Sequence, residues 1–316
     1  AIYDKTLNLQ LLMININVIN ETAQLKSVIV GIADDFGGVP NLENCYDPKS
    51  KEHVLAGTFS KNKDCIEEIE GLVSLFEKYN IKVYRPSNII NLNQIFARDI
   101  AFVIKDKLVV PNIIEERKQE LNAIDYVLDQ INDSNKINMP LNARVEGGDV
   151  ILCNKYIFVG YSEKEDFENY TVARTNKEGL DFLINLFPDK IIKGMQLNKS
   201  DEKARDNALH LDCCFQPIGK NMAILYKGGF KYKKDIDFLI NYFGEENIIE
   251  VDTEEMYNMN VNVFSISENV VVSDTTFVRL NMQLRRRGFT VEEVNYSQIG
   301  KMSGLLRCST MPLIRT

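Results

Sequence analysis

Imidazole is scarce in this chain: of its 316 residues only two, His53 and His210, are histidine. Proton transfer through imidazole is therefore confined to one of two positions. Also missing are a CxxC pair, a phosphate-cradling GxxxxGK[S/T] loop and a GxGxxG turn, so structural zinc and nucleotide binding lack their usual sequence support. Lys and Arg number 37 against 45 Asp and Glu, for a formal charge of -8. That balance argues against nucleic acid as a partner, because nonspecific binding to phosphate backbones rests on clustered Lys and Arg. The one dense basic run, Arg285-Arg286-Arg287, precedes Gly288 and reads as a helix C-terminus whose dipole it complements. No apolar run reaches bilayer length; Leu7 to Ile19 is broken by Asn8, Gln10, Asn15 and Asn17 and carries no basic leader or cleavage site. Neither membrane insertion nor secretion is expected, and a cytoplasmic location is. Met13 is a candidate natural start, with residues 1–12 an extension.

What is present suits a folded protein of ordinary composition, 45% hydrophobic and 26% charged, long enough for a substantial core. Six cysteines (Cys45, Cys65, Cys153, Cys213, Cys214 and Cys308) are an even number, but a chain of this size has no need of disulfide staples, and reduced thiols are expected. Cys213 and Cys214 have no further Cys or His at ligand spacing, so no metal site is expected there.

Helical periodicity recurs in five segments, roughly 62–80, 115–132, 176–187, 233–243 and 275–287. Ile66, Ile69, Val73 and Phe76 share one face of the first, and Leu121, Ile124, Leu128 and Ile131 one face of the second. Each segment is followed by a short apolar strand, such as Ile81 to Tyr84 or Thr290 to Val294. Between them lie hairpin patterns at Ile100 to Val110, Val150 to Val159, Phe215 to Tyr226 and Val263 to Val272. A fifth hairpin is completed if Ser27 to Gly31 meets the strand after Cys308. A unit of hairpin, helix and strand repeating about every 45 to 56 residues predicts an α/β ring of five units.

In such a ring, residues that start equivalent hairpins point toward one axis. Asp99, Glu146, His210 with Asp212, and Cys308 all occupy that place, so a thiol, an imidazole and several carboxylates are expected in one pocket. Cys308 is the candidate nucleophile, since a polar setting with nearby cations favours thiolate. His210 is the candidate acid and base; His53, in Lys51-Glu52-His53, reads as a solvated loop residue. Asp99 and Asp212 suit a guanidinium, whose planar donor fork pairs with carboxylates. In Glu146-Gly147-Gly148-Asp149 the glycines let backbone approach a ligand, and Asp149 is expected to act structurally. Arg174 is a candidate for holding a substrate carboxylate, with Arg307 and Arg144 competing for the role, while Thr175 or Asn176 would cap the next helix. The loop from Ala33 to Ser50 is either a lid or an ordinary connection.

Phe96-Ala97-Arg98-Asp99, Glu146-Gly147-Gly148-Asp149, His210-Leu211-Asp212 and Cys308, in this order and spacing, resemble the guanidine-modifying superfamily with the pentein fold. Its members include arginine deiminases, dimethylarginine dimethylaminohydrolases and amidinotransferases. The resemblance covers nearly the whole chain and implies a single pentein domain over residues 1–316, with no metal and no organic cofactor. It implies Cys308, His210 and Glu146 as catalytic residues and Asp99, Asp212 and Arg174 as binding residues for a small guanidino substrate. Gly304-Leu305-Leu306-Arg307 departs from the glycine-rich run usual before the cysteine of deiminases, and no inserted helical domain is visible. Hydrolysis of an arginine-like guanidine to a ureido product such as citrulline is the first expectation. Amidino transfer to an acceptor amine is the second, and binding without turnover the third. The oligomeric state is open, a homo-oligomer included.

Overall fold

The computed structural model describes residues 13–316, so the expected extension 1–12 lies outside the described residues. Five three-stranded sheets follow one another around the molecule. In each, the middle strand pairs antiparallel with its hairpin partner and parallel with the strand that returns after the helix. Phe102–Ile104, Lys107–Val110 and Lys136–Asn138 make one such sheet, and Val150–Cys153, Tyr156–Tyr161 and Ile191–Gln196 the next. Phe215–Ile218, Met222–Leu225 and Ile248–Glu250 form another, then Phe264–Ser267, Val270–Asp274 and Thr290–Val294. The remaining sheet joins the chain's two ends: Leu25–Val30 pairs antiparallel with Thr310–Arg315, Val30 opposite Thr310, and parallel with Lys82–Tyr84. This is the expected five-unit α/β propeller.

Local chemistry explains the hairpins. The connections Lys105-Asp106 and Asn154-Lys155 are two residues long, and Lys105 and Asn154 adopt φ of 56° and 54°. Positive φ matches the turn to the twist of the strands; asparagine tolerates it well, and lysine bears a cost of roughly 1 kcal/mol. The helices answer to their apolar faces. Asn62–Lys78 buries Ile69, Leu72, Val73 and Phe76 against the core, each such side chain contributing roughly 1.5–3 kcal/mol. Lys177–Leu186 starts where Asn176 accepts the Gly179 N–H at 2.9 Å. Lys233–Phe243 and Val278–Arg286 fall where periodicity places them, the latter ending on Arg285 and Arg286.

Two expectations need correction. The segment 115–132 is not one helix but a 3-10 turn at Glu115–Arg117 followed by single turns at Gln119–Asn122 and Asp125–Leu128. The Ala123 carbonyl accepts the Ser87 N–H at 2.8 Å, so the helical ladder is diverted at that point. Ile124, Leu128 and Ile131 are nevertheless buried. His53 sits not in a loop but in the last turn of a helix, Pro48–Leu55, with its Nδ1 2.8 Å from Thr58 Oγ1. No helix among the described residues is long and apolar enough to cross a membrane.

Candidate active site

The segments that precede the first strand of each sheet meet at one end of the ring. Asp99 lies three residues before Phe102–Ile104, Glu146 four before Val150–Cys153, His210 five before Phe215–Ile218 and Cys308 two before Thr310–Arg315. Asp99, His210, Cys308 and Arg174 all line a cavity of about 370 Å³, a volume suited to a small molecule. Residues 36–38 and 44–47 of the Ala33 to Ser50 loop form part of its wall.

His210 is buried and held at one nitrogen: Nε2 lies 2.8 Å from Glu146 Oε2. Nδ1 has no hydrogen-bond partner among the described residues and lies 3.8 Å from Asp99 Oδ1. The nitrogen left over is thus available to a ligand. Burial opposes charge on the imidazole, but the carboxylates of Asp99, Glu146 and Asp149 outweigh it and push its pKa from the ordinary 6.5 up to about 9. Glu146 itself is driven well below the usual carboxylate range: burial works against this, and Arg174 together with His210 prevails. Because the folded pKa of His210 exceeds the unfolded one, its contribution to stability is complete below about pH 6.5 and is lost as pH rises through about 9. A decline of kcat/KM above pH 9 is expected for the same reason; a pH profile flat to pH 10.5 would contradict it.

The two glycines of Glu146-Gly147-Gly148-Asp149 have a steric purpose. A Cβ on Gly148 would stand 2.6 Å from His210 Nδ1 and 3.0 Å from Asp99 Oδ1, and one on Gly147 would stand 2.0 Å from the Arg98 carbonyl. The Gly148 N–H also donates to Asp99 Oδ1 at 3.0 Å. Gly148→Ala is expected to push the imidazole aside and lower kcat/KM by about 10²-fold. Steady-state kinetics of the folded variant check this, and wild-type kinetics would exclude the placement. Asp149 braces the segment: it accepts the Leu211 N–H at 2.9 Å and the Thr175 hydroxyl at 2.7 Å.

Cys308 is buried, with Sγ 3.6 Å from Asp212 Oδ2. Burial first, and then the carboxylates of Asp212 and Asp99, push the thiol well above its ordinary range. A cationic ligand among these carboxylates would reverse that effect.

The expected arginines separate. Arg174 reaches the cavity, but Nη1 lies 3.2 Å from Glu146 Oε1, Nη2 donates to the Tyr46 carbonyl and Nε to the Thr171 carbonyl. Arg307, a candidate for a substrate carboxylate, is instead fully buried behind the site. It donates to Asp212 Oδ2 at 2.8 Å, to Glu21 at 3.0 Å and 3.3 Å and to the Val150 carbonyl at 2.7 Å. Its donors are spent on Asp212, Glu21 and the Val150 carbonyl. The Arg144 carbonyl accepts the Asn176 N–H at 3.0 Å and the Arg144 N–H donates to the Asn176 side-chain Oδ1 at 2.9 Å, and Arg144 is absent from the cavity wall.

Arg117, which sequence reasoning passed over within a supposed helix, lines the cavity. It donates to Asp99 Oδ2 at 2.8 Å and to both carboxylate oxygens of Glu120 at 2.7 Å and 2.9 Å. The signal available was an arginine set among acids in Glu115-Glu116-Arg117. Ligand atoms of Asp99, Glu146 and His210 also lie within 4.8 Å of one another, a spacing that a metal ion can bridge. The carboxylates of that group are already engaged by Arg117 and Arg174, and a metal needs the imidazole uncharged. The donor set therefore fits cationic organic groups better than a metal. All six cysteines are free.

The sequence model of N,N dimethylarginine dimethylhydrolase, eukaryotic, matches residues 51–315. The uncharacterized protein YkgA of Bacillus subtilis (strain 168) is 30% identical over 70% of this chain and 70% of its own length. The arginine deiminase of Listeria welshimeri is 26% identical over 71% of this chain and 62% of its own, so less than two thirds of that relative is spanned. Among solved structures, the N-terminal domain of ArgZ, an arginine dihydrolase from cyanobacteria, superposes with a TM-score of 0.74 at 15% identity, covering 92% of this chain and 98% of that one. The amidinotransferase SxtG of Microseira wollei gives a TM-score of 0.72 at 16% identity, covering 95% and 97%. DDAH from Pseudomonas aeruginosa gives 0.69 at 16% identity, covering 92% and 99%. At such identities the structural likeness is one of fold.

Proposed function

Because the chain belongs to the N,N dimethylarginine dimethylhydrolase family, within the guanidine-modifying pentein superfamily, we infer that it hydrolyses the guanidino group of arginine or an arginine derivative. One observation carries this reading: a thiol, a partnered imidazole and a guanidinium-binding type of carboxylate, Cys308, His210 and Asp99, face a single cavity of small-molecule size.

In the proposed reaction Asp99 and Asp212 hold the guanidinium, whose charge also favours the Cys308 thiolate. The thiolate adds to the central carbon. His210, oriented by Glu146, delivers its proton to the departing amine as the carbon–nitrogen bond breaks, leaving an amidino-thioether on Cys308. Water then gives a proton to the now neutral imidazole and adds to the same carbon. Cys308 departs as thiolate, the remaining hydroxyl proton passes to solvent or to the released amine, and a neutral ureido product leaves with His210 protonated again. Arg117 and Arg174 are the two cationic side chains that an acidic tail on the substrate would meet at the cavity wall.

The test is a panel of arginine, methylated arginines and agmatine, with and without glycine as acceptor amine. Ureido product without acceptor is the expected result. Product only with acceptor would assign amidino transfer instead, and absence of turnover across the panel would leave a binding protein.

A further inference from the structure

Four of the five sheets are preceded by a residue assigned above to the site. The fifth, which begins at Phe264, is preceded by Asn262, two residues upstream, as Cys308 stands two residues upstream of Thr310. Asn262 is fully buried. We propose that Asn262 is the positioning residue of the nucleophile, its side-chain amide clasping Cys308 at both backbone and sulfur and favouring the thiolate.

The contacts are reciprocal and use both ends of the amide. Oδ1 accepts the Cys308 N–H at 3.1 Å, and Nδ2 donates to Cys308 Sγ at 3.2 Å. The other Nδ2 contact is the Asp212 carbonyl at 3.3 Å. A flipped amide would set a donor against the Cys308 N–H and an oxygen against the sulfur, so this network decides its orientation. The Asn262 backbone is pinned as well: its N–H donates to the Met259 carbonyl at 2.9 Å and its carbonyl accepts the Arg307 N–H at 3.3 Å.

The sulfur needs such a donor. Sγ–H points to Asp212 Oδ2, a contact available to the thiol and repulsive to the thiolate. The acids Asp212 and Asp99 and the thiol of Cys213 all bear on Cys308 in the direction that opposes ionisation. A hydrogen bond to the charged form works the other way. A neutral amide can supply it without competing with a cationic substrate for the carboxylates, which a lysine or arginine in the same place would do. Asparagine rather than a cation at this fifth position thus follows from the charge of the ligand proposed above, and the inference rests on that reading.

The experiment reads sulfur directly and does not require turnover, so it separates this proposal from the assignment of the reaction. Alkylation of Cys308 by iodoacetamide, followed by mass spectrometry of its peptide across pH, is compared in wild type, Asn262→Ala, Asn262→Ser and Asn262→Asp. Loss of the donor is expected to raise the alkylation midpoint by about one pH unit in Asn262→Ala. Asn262→Asp, the closest in shape, should shift it further because a carboxylate oxygen replaces the N–H. Asn262→Ser, whose hydroxyl can donate, should recover part of the loss if it reaches the sulfur. With a substrate in hand, kcat should fall by about 10-fold or more in Asn262→Ala with KM changed by less than about threefold. A merely structural asparagine predicts the opposite order, with the isosteric Asp least affected. An unchanged midpoint in folded Asn262→Ala or Asn262→Asp overturns the proposal, whether or not the wild type turns over a guanidine.

Discussion

Cys308→Ser is expected to lower kcat by about 10³-fold or more while the protein still folds and binds its substrate. Serine is nearly isosteric, keeps the backbone N–H that Asn262 accepts at 3.1 Å, and replaces only the sulfur proposed to form the covalent bond. A hydroxyl is a far weaker nucleophile than a thiol in these surroundings, since nothing beside position 308 is a strong base: the free nitrogen of His210 belongs to an imidazole already protonated at neutral pH, with its pKa near 9. Two measurements check the outcome together. Turnover should be lost, and intact-protein mass after acid quench should show a substrate adduct on wild type and none on the variant. Undiminished turnover by Cys308→Ser would remove Cys308 as nucleophile and with it the covalent route.

Arg307→Met is expected to have the largest effect on stability. The guanidinium is wholly buried and neutralises Glu21 on one side and Asp212 on the other. Burial alone raises the Glu21 carboxyl, yet Arg307 and Arg98 draw it down to about 2. Removing the arginine leaves Asp212 and Glu21 without the guanidinium that is hydrogen-bonded to both in a dry interior, a change that costs about 3–5 kcal/mol. Methionine retains much of the volume, so a cavity adds little to that figure. Denaturant unfolding at neutral pH measures the loss, and a second substitution, Glu21→Gln, should recover part of it. A loss below about 1 kcal/mol would mean that Arg307 is not what holds Asp212. The variant should also lose turnover, since Asp212 reaches Cys308 Sγ at 3.6 Å.

Much of this site is legible in the residues. Cys308, His210 and Asp99 carry chemistry that surface residues seldom need in that order, and each precedes a hairpin whose alternation is visible in the chain. Arg117 and Asn262 were not legible for different reasons. Arg117 sits in a segment whose apolar spacing imitates a continuous helix but which folds as a 3-10 turn and two single turns, one break marked by the tertiary hydrogen bond from Ser87 to the Ala123 carbonyl. Asn262 lies in Asn260-Val261-Asn262, where asparagine ordinarily signals a turn and no charge marks it as special. Arg307 was legible as a cation beside the cysteine but not as a buried one, because its partner Glu21 is 286 residues away.

The amino-acid sequence by itself determined the repeated unit, the five sheets that follow from it, and the reactive groups, because strand alternation, helical spacing and side-chain chemistry are local properties of the chain. Tertiary structure alone decided which charges face the cavity and which are consumed in holding it. That division depends on partners brought together by closing the ring, where Leu25–Val30 meets Thr310–Arg315, and an ion's role in a low-dielectric interior is set by the neighbours it finds there rather than by its own identity.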